Sequence, residues 1–244
     1  MASIDSPGSS DSSSSIENTA TLAREIAARI SALPGFSTES VRAVRREFSK
    51  RVAKASPETV LQVAQRLFDD LAGDFRFVAY ELIRHHRPAL ASLREKDLER
   101  FGRGLDSWSS VDMFACYLAG PAWRENQISD RVIHRWARSK DRWWRRAALV
   151  STVPLNSKAQ GGSGDVSRTL EACHLLVTDR DDMVVKAMSW ALRELSKRDP
   201  SAVRGFLSEH QNVIAARVIR EVGNKLATGL KNPRERASAK RKIN

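Results

Sequence analysis

The sequence predicts an all-α fold: a curved superhelical stack of antiparallel helix pairs, of HEAT-like or armadillo-like type. Three observations predict it. Apolar residues recur at three- and four-residue spacing from about Ile16 to near the C-terminus, the period of a helix with one buried stripe. Short breaks rich in Pro, Gly, Ser or Asp divide the chain into segments of roughly 12–18 residues, ordinary lengths for packed helices. No pair of alternating apolar runs flanks a hairpin turn. Helices joined by short connections, each apolar on one face, bury those faces against their neighbours. A compact bundle satisfies the same pattern, but the number of helices favours an array.

Residues 1–15, "MASIDSPGSSDSSSS", are Ser-rich and nearly without large apolar groups. They bury too little to offset the entropy of ordering, so a disordered tail is expected. Leu22, Ile26, Ile30 and Leu33 then form one stripe that ends at Pro34-Gly35. "TESVRAVRREFSKRVAKA" follows, with Thr38 expected at the N-cap and Val41, Val44 and Phe48 on one face. Pro57 opens "PETVLQVAQRLFDDLA", where its missing N–H has no cost. Gly73-Asp74 precedes "FRFVAYELIRHHRPAL", expected to be one helix. The alternation continues through "PSAVRGFLSEH" and "NVIAARVIREVGNKLATG", so one domain is placed at residues 16–230. The Gly/Ser-rich connector 156–167 is expected to be mobile. Residues 231–244 form a basic tail, suited to phosphate contacts, to a localisation signal, or simply to solvated charge.

The chain has 41 Lys and Arg against 29 Asp and Glu. Three of those acids (Asp5, Asp11, Glu17) lie in the first 17 residues, which contain no base. The remainder is more basic still, a balance that points to a polyanionic partner. Cys116 and Cys173 sit in apolar helical contexts and are expected to be reduced core residues of a cytoplasmic, nucleoid-associated protein. No apolar run reaches the length of a membrane span, and no membrane partner is expected. His85 and His86 are adjacent, and His134, His174 and His210 lie far apart without ligand spacing, so no metal and no other cofactor is expected. "GGSG" at 161–164 lacks the Lys-Ser/Thr of a phosphate loop.

Three stretches carry chemistry. In "SWSSVDMFACYL", Trp108 and Asp112 share a helix face one turn apart. In "SKDRWWRRAALVST", Trp143 and Arg146 share a face. In "VVKAMSWALRELSKRDP", Lys186, Trp190 and Arg193 follow at four and three. Taken singly, each fits an ordinary core or a solvated surface. A tandem-helix array presents equivalent positions of successive helices on one wall, so the three faces are expected to converge. A carboxylate, an arginine and two indoles there suit a cationic planar group on a phosphate backbone.

The series Trp-x-x-x-Asp, Trp-x-x-Arg-Ala-Ala and Trp-x-Leu-Arg-Glu before "DPSAVRGFL" resembles the DNA alkylation repair glycosylases of the AlkD type, over about residues 20–230; "GDFRFVAYELIRHH" resembles that family's second repeat. The resemblance implies an all-helical HEAT-like protein that excises N3- and N7-alkylated purines without a metal. It would leave an abasic site in double-stranded DNA containing alkylated bases and engage the duplex from outside, without the extrahelical pocket of most glycosylases. It makes Asp112 the catalytic carboxylate and sets Trp108 against the lesion-bearing nucleotide. Arg146 would bind the backbone phosphate and Trp190 would form the second aromatic wall, with Trp143, Lys186 and Arg193 on the same binding face. A monomer is expected. The family's N-terminal aromatic has no counterpart in "TLAREIAARISAL"; Ile26 stands nearest that place. A non-catalytic DNA reader and a protein–protein scaffold are the competing functions.

Overall fold

A computed structural model of the chain describes residues 10–35, 37–70 and 76–233. Helices account for every regular element, and no strand occurs among the described residues. The chain divides into two compact units, Met1–Val132 and Ile133–Asn244.

The first unit contains α1 (Ser10–Ser31), α2 (Thr38–Arg51), α3 (Pro57–Asp70), α4 (Arg76–His85), α5 (Arg87–Ser92), α6 (Glu95–Phe101), α7 (Trp108–Phe114) and α8 (Gly120–Arg124). A π turn, Ala115–Ala119, joins α7 to α8. The helices stack in two layers: α1, α3 and α5 touch in succession, as do α2, α4 and α7. Between the layers lie Phe48, Leu67, Tyr80, Ile83, Leu98, Phe101 and Phe114, all essentially without exposed surface. Phe68 and Phe101 meet edge to face at 5.7 Å, and the Tyr80 hydroxyl donates to the Phe101 carbonyl at 2.6 Å. Burial of this kind, which leaves the one polar atom bonded, is what an aromatic core requires.

Several boundaries differ from the sequence reading. Helix α1 begins at Ser10, inside the stretch expected to be a disordered tail; a helix nucleated on the Leu22–Ile30 stripe extends upstream at little cost per residue. Residues 1–9 of that tail, and 234–244 of the basic C-terminal tail, lie outside the described residues. Ser37, not Thr38, caps α2, its hydroxyl accepting from Ser40 N while the Ser40 side chain returns the bond. "FRFVAYELIRHHRPAL" is two helices, not one: His86 Nδ1 accepts from Ala89 N at 3.1 Å and restarts the chain ahead of Pro88. A proline interrupts helical bonding and favours the first turn. Pro121 has a comparable effect downstream. It offers no N–H to the Tyr117 carbonyl and its ring would crowd it, and the helix widens there into the π turn, with Gly120 N bonded to Ala115 O.

The second unit takes up the rest of the helices: α9 (Asp130–Ala137), at whose Val132–Ile133 bond the division falls, α10 (Arg142–Val150), α11 (Val153–Asn156), α12 (Val166–Leu175), α13 (Asp182–Leu195), α14 (Pro200–Glu209) and α15 (Ala216–Thr228). Aspartates 141, 165, 181 and 199 cap α10, α12, α13 and α14, each accepting a backbone N–H of the first turn and placing negative charge at the positive helix end. Helix α13 is central, packed between α10 and α15 and covered by α12 and α14. Val184, Ala187, Met188, Ala191, Leu192 and Leu195 form its buried stripe.

The connector 156–167, expected to be mobile, is instead tied down. Asn156 is buried and its amide donates to Thr152 O at 2.9 Å and Thr169 Oγ1 at 2.8 Å, while accepting from Asp165 N at 3.0 Å. Arg198 adds bonds to the carbonyls of Asn156 at 2.7 Å and Gly162 at 2.6 Å. Gly162 lies so close that a Cβ there would meet Pro154 O at 2.4 Å. Composition alone conceals such bonds, since they come from residues outside the loop. Asn156→Ala leaves buried donors and acceptors unmatched, and a loss of about 2–3 kcal/mol in urea unfolding is expected; a loss under about 0.5 kcal/mol would show the loop to be independent of this side chain.

Both cysteines are free and buried, as expected of core thiols; burial pushes the Cys173 thiol up to about 12. No described helix is long and apolar enough to cross a membrane.

Candidate functional site

In the first unit, Ser107 caps α7 with a hydroxyl that accepts from Ser110 N. Trp108 is therefore the first helical residue. Val111 and Phe114 turn into the core, and Trp108 points away from it with 58% of its surface exposed. An indole that exposed contributes little to packing and is available to a ligand. Asp112, one turn on, is partly buried. The pair lies directly before the π turn, a feature that often marks functional positions in helices.

The layer that carries α7 holds a group that the sequence reading missed. Glu81 of α4 has only 4% of its side chain exposed and binds two arginines of α2, Arg42 Nε at 2.8 Å and Arg45 Nε at 3.0 Å. Glu81 raises the Arg42 pKa above its ordinary value, chiefly through this hydrogen bond. Arg42 also reaches the Tyr117 hydroxyl at 3.4 Å, and the Arg84 guanidinium lies 4.1 Å from the centre of the Tyr117 ring. Arg42, Arg84 and Tyr117 thus form a cationic–aromatic patch on the α2, α4 and π-turn layer. The signal available in sequence was the acid inside "FVAYELI" opposite a helix with arginines three apart. His85 sits nearby, and its pKa is lowered by burial first and by Arg45 second.

In the second unit, the three neighbouring basic residues of α10 have different surroundings. Arg142 lies over the Trp143 ring at 4.7 Å. Arg145 is structural, bound to Asp179 at 2.7 Å and to the carbonyls of Ser139 and Lys140. Arg146 is 5% exposed and donates from Nη1 to Met183 O at 2.6 Å, which fastens α10 to the start of α13. Trp143 is half-buried. On α13, Lys186 is exposed and paired with Asp182 at 2.6 Å, and Asp182 also holds Arg217 at 2.8 Å. Trp190 is half-buried, and Arg193 donates from Nε to Ser189 Oγ at 3.2 Å. Helix α10, which carries Trp143 and Arg146, packs on α13, which carries Lys186, Trp190 and Arg193, and Arg193 lies on the side of α13 that faces α15. Trp108 and Asp112 belong to the first unit and these five residues to the second.

Ile26 is fully buried in α1, so the side chain nearest the family's N-terminal aromatic serves the core. His174 and His210, distant in sequence, meet at 3.3 Å, and His134 reaches Glu171 at 3.3 Å. No group of three His, Cys, Asp or Glu side chains is arranged to hold a metal among the described residues.

A solved structure of a predicted DNA alkylation repair enzyme from Enterococcus faecalis superposes with a TM-score of 0.65. It is 18% identical over 87% of this chain and 96% of its own length, and so shares the fold. No curated protein matches the sequence. Residues 16–226 match the family described as DNA alkylation repair enzyme, nearly the whole helical region. The chain belongs to the DNA alkylation repair enzyme family.

Proposed function

We propose that the protein is a DNA glycosylase that hydrolyses the N-glycosidic bond of cationic N3- and N7-alkylpurines in duplex DNA. The observation that carries this reading is the pairing, on one turn of α7, of a solvent-exposed indole with a carboxylate in a strongly basic member of an alkylation repair family. An alkylated purine already bears positive charge, so its base leaves neutral and needs no general acid, unlike an ordinary glycoside. What remains is positive charge growing on the deoxyribose. A fixed carboxylate stabilises that charge and orients a water for attack at the anomeric carbon. In this reading Asp112 is the catalytic residue, and Trp108 packs against the lesion nucleotide. Arg146, with Trp143, Lys186, Trp190 and Arg193, holds the backbone and the far aromatic wall.

The arginine's role is separable from the carboxylate's. Arg146→Ala is expected to weaken binding of alkylated duplex by about tenfold and to reduce the steepness of its salt dependence. Unchanged affinity in a fluorescence anisotropy titration would remove the phosphate contact from the reading. Trp108→Ala, at so exposed a position, is expected to leave the unfolding midpoint unaltered while lowering kcat/KM for methylated duplex at least tenfold. A drop in stability without a change in base release would return Trp108 to a packing role. A DNA reader that binds without cutting is the second reading; release of free methylpurine from alkylated duplex separates the two.

A further inference from the structure

Helix α13 carries Arg193 on the side that faces α15, where an acid of α15 and a lysine beyond it share one network. Glu221 is 6% exposed. Its Oε2 accepts from the buried Ser189 hydroxyl at 2.6 Å and from Lys231 Nζ at 3.3 Å. Ser189 Oγ in turn accepts from Arg193 Nε at 3.2 Å. Two cations from different parts of the chain therefore converge on a single hydroxyl–carboxylate pair. We propose that Arg193 and Lys231 form a two-pronged clamp for one phosphate group of the DNA backbone, with Glu221 as the positioning residue that holds both prongs in place.

The chemistry supports a ligand here, beyond an ordinary ion pair. Arg193 has five N–H groups, and no described residue takes those on its Nη nitrogens; its Nε alone is engaged, by Ser189. Lys231 has 43% of its side chain exposed, and its ammonium carries two N–H groups beyond the one that meets Glu221. The neighbouring acid, Glu194, is already satisfied by Lys197 at 2.7 Å. Two cations on one carboxylate leave the cluster one positive charge in excess, and every unused hydrogen-bonding group on the prongs is a donor. Burial lowers the Arg193 pKa, against the attraction of Glu221 and Glu194, so its charged form gains from an added anion. Burial opposes the ionised form of Glu221 as well, yet the Ser189 hydrogen bond and Lys231 lower its pKa overall, and the anchor stays charged near neutrality. A planar guanidinium beside a point-charge ammonium matches the oxygens of a phosphodiester. Arg193 follows Trp190 by three residues on α13, so the clamp would hold the backbone close to the second aromatic wall.

This inference rests on duplex DNA being the ligand of the protein, and its test is independent of base release. Full-length protein is titrated with an undamaged fluorescent duplex by anisotropy across a range of salt concentrations. Lys231→Ala and Arg193→Ala are each expected to weaken binding about three- to tenfold. The double variant should reduce the slope of log K against log salt by about 0.9, the value for one phosphate. Glu221→Gln is the discriminating variant. It raises net positive charge by one, so simple electrostatics predicts tighter binding, whereas a misplaced clamp predicts binding weaker by about threefold or more. Tighter or unchanged binding by a folded Glu221→Gln protein overturns the proposal. Should that variant fail to fold, Lys231→Ala decides alone, and an unchanged slope overturns it. Inorganic phosphate replacing chloride at constant ionic strength identifies the source of the anion. Displacement of duplex from the wild type but not from Lys231→Ala places the competing anion at this clamp, whereas phosphate that binds there without lowering duplex affinity would overturn the assignment to DNA in favour of a free phosphate. Wild-type protein that binds duplex and releases no methylpurine loses the glycosylase reading and keeps the clamp. Base release with an unaltered Lys231→Ala slope loses only the clamp.

Discussion

Asp112→Asn is expected to lower single-turnover release of 7-methylguanine from alkylated duplex by about 10²–10³-fold, equivalent to roughly 3–4 kcal/mol of transition-state stabilisation. The amide occupies the same volume and retains an acceptor oxygen, so the substitution removes charge and little else. Charge is what the reaction uses. The lesion's positive charge passes to the deoxyribose as the glycosidic bond stretches, and a neutral amide cannot follow it. Duplex affinity is expected to stay within about threefold of wild type, because the ground state gains little from a carboxylate near a polyanion. The effect therefore belongs in kcat, with KM nearly constant. Release within about twofold of wild type would mean that another group stabilises the positive charge on the deoxyribose.

Glu81→Gln is expected to destabilise the first unit by about 3–5 kcal/mol, since it leaves a buried guanidinium without its counter-charge. Arg45 has only 9% of its side chain exposed and cannot recover its hydration by a rotamer change. Arg42, with 40% exposed, can, so Arg42→Ala is expected to cost no more than about 1 kcal/mol. The two variants separate a buried ion pair from a surface one within a single network, and urea unfolding followed by Trp fluorescence reads both. A Glu81→Gln protein within about 1 kcal/mol of wild type would show that Arg45 finds other partners.

How much of this was legible from sequence depended on whether the signal was local. The stripe of Leu22, Ile26, Ile30 and Leu33, and the Pro57 that opens α3, specify helices because periodicity and backbone sterics act within a few residues. The helical class and the Pro57 start of α3 follow from such signals, whereas α15 begins at Ala216, four residues after the start of the apolar stretch read for it. Events that depend on a distant partner were not legible. Nothing near "NSKAQGGSGDVS" announces that Arg198 and Thr169 bind it, so a rigid loop read as a mobile one. The same holds for Glu81, whose partners lie on α2, and for His174 with His210, joined only when α12 and α14 pack. His86 as a cap required a side chain that accepts through Nδ1, which composition does not reveal. That Trp108 and Asp112 share one turn of a helix was legible because they stand four residues apart in one periodic segment. Glu221 and Lys231 escaped notice because their relation to Arg193 exists only once α15 lies against α13.

The most direct measurement is product analysis of duplex DNA bearing N7-methylguanine, incubated with the wild-type protein. Hydrolysis at the glycosidic bond predicts free 7-methylguanine and alkali-labile abasic sites in equal numbers, with strands intact until alkali is added. Duplex that is bound yet retains all its methylpurine, or strands nicked without abasic sites, would contradict it.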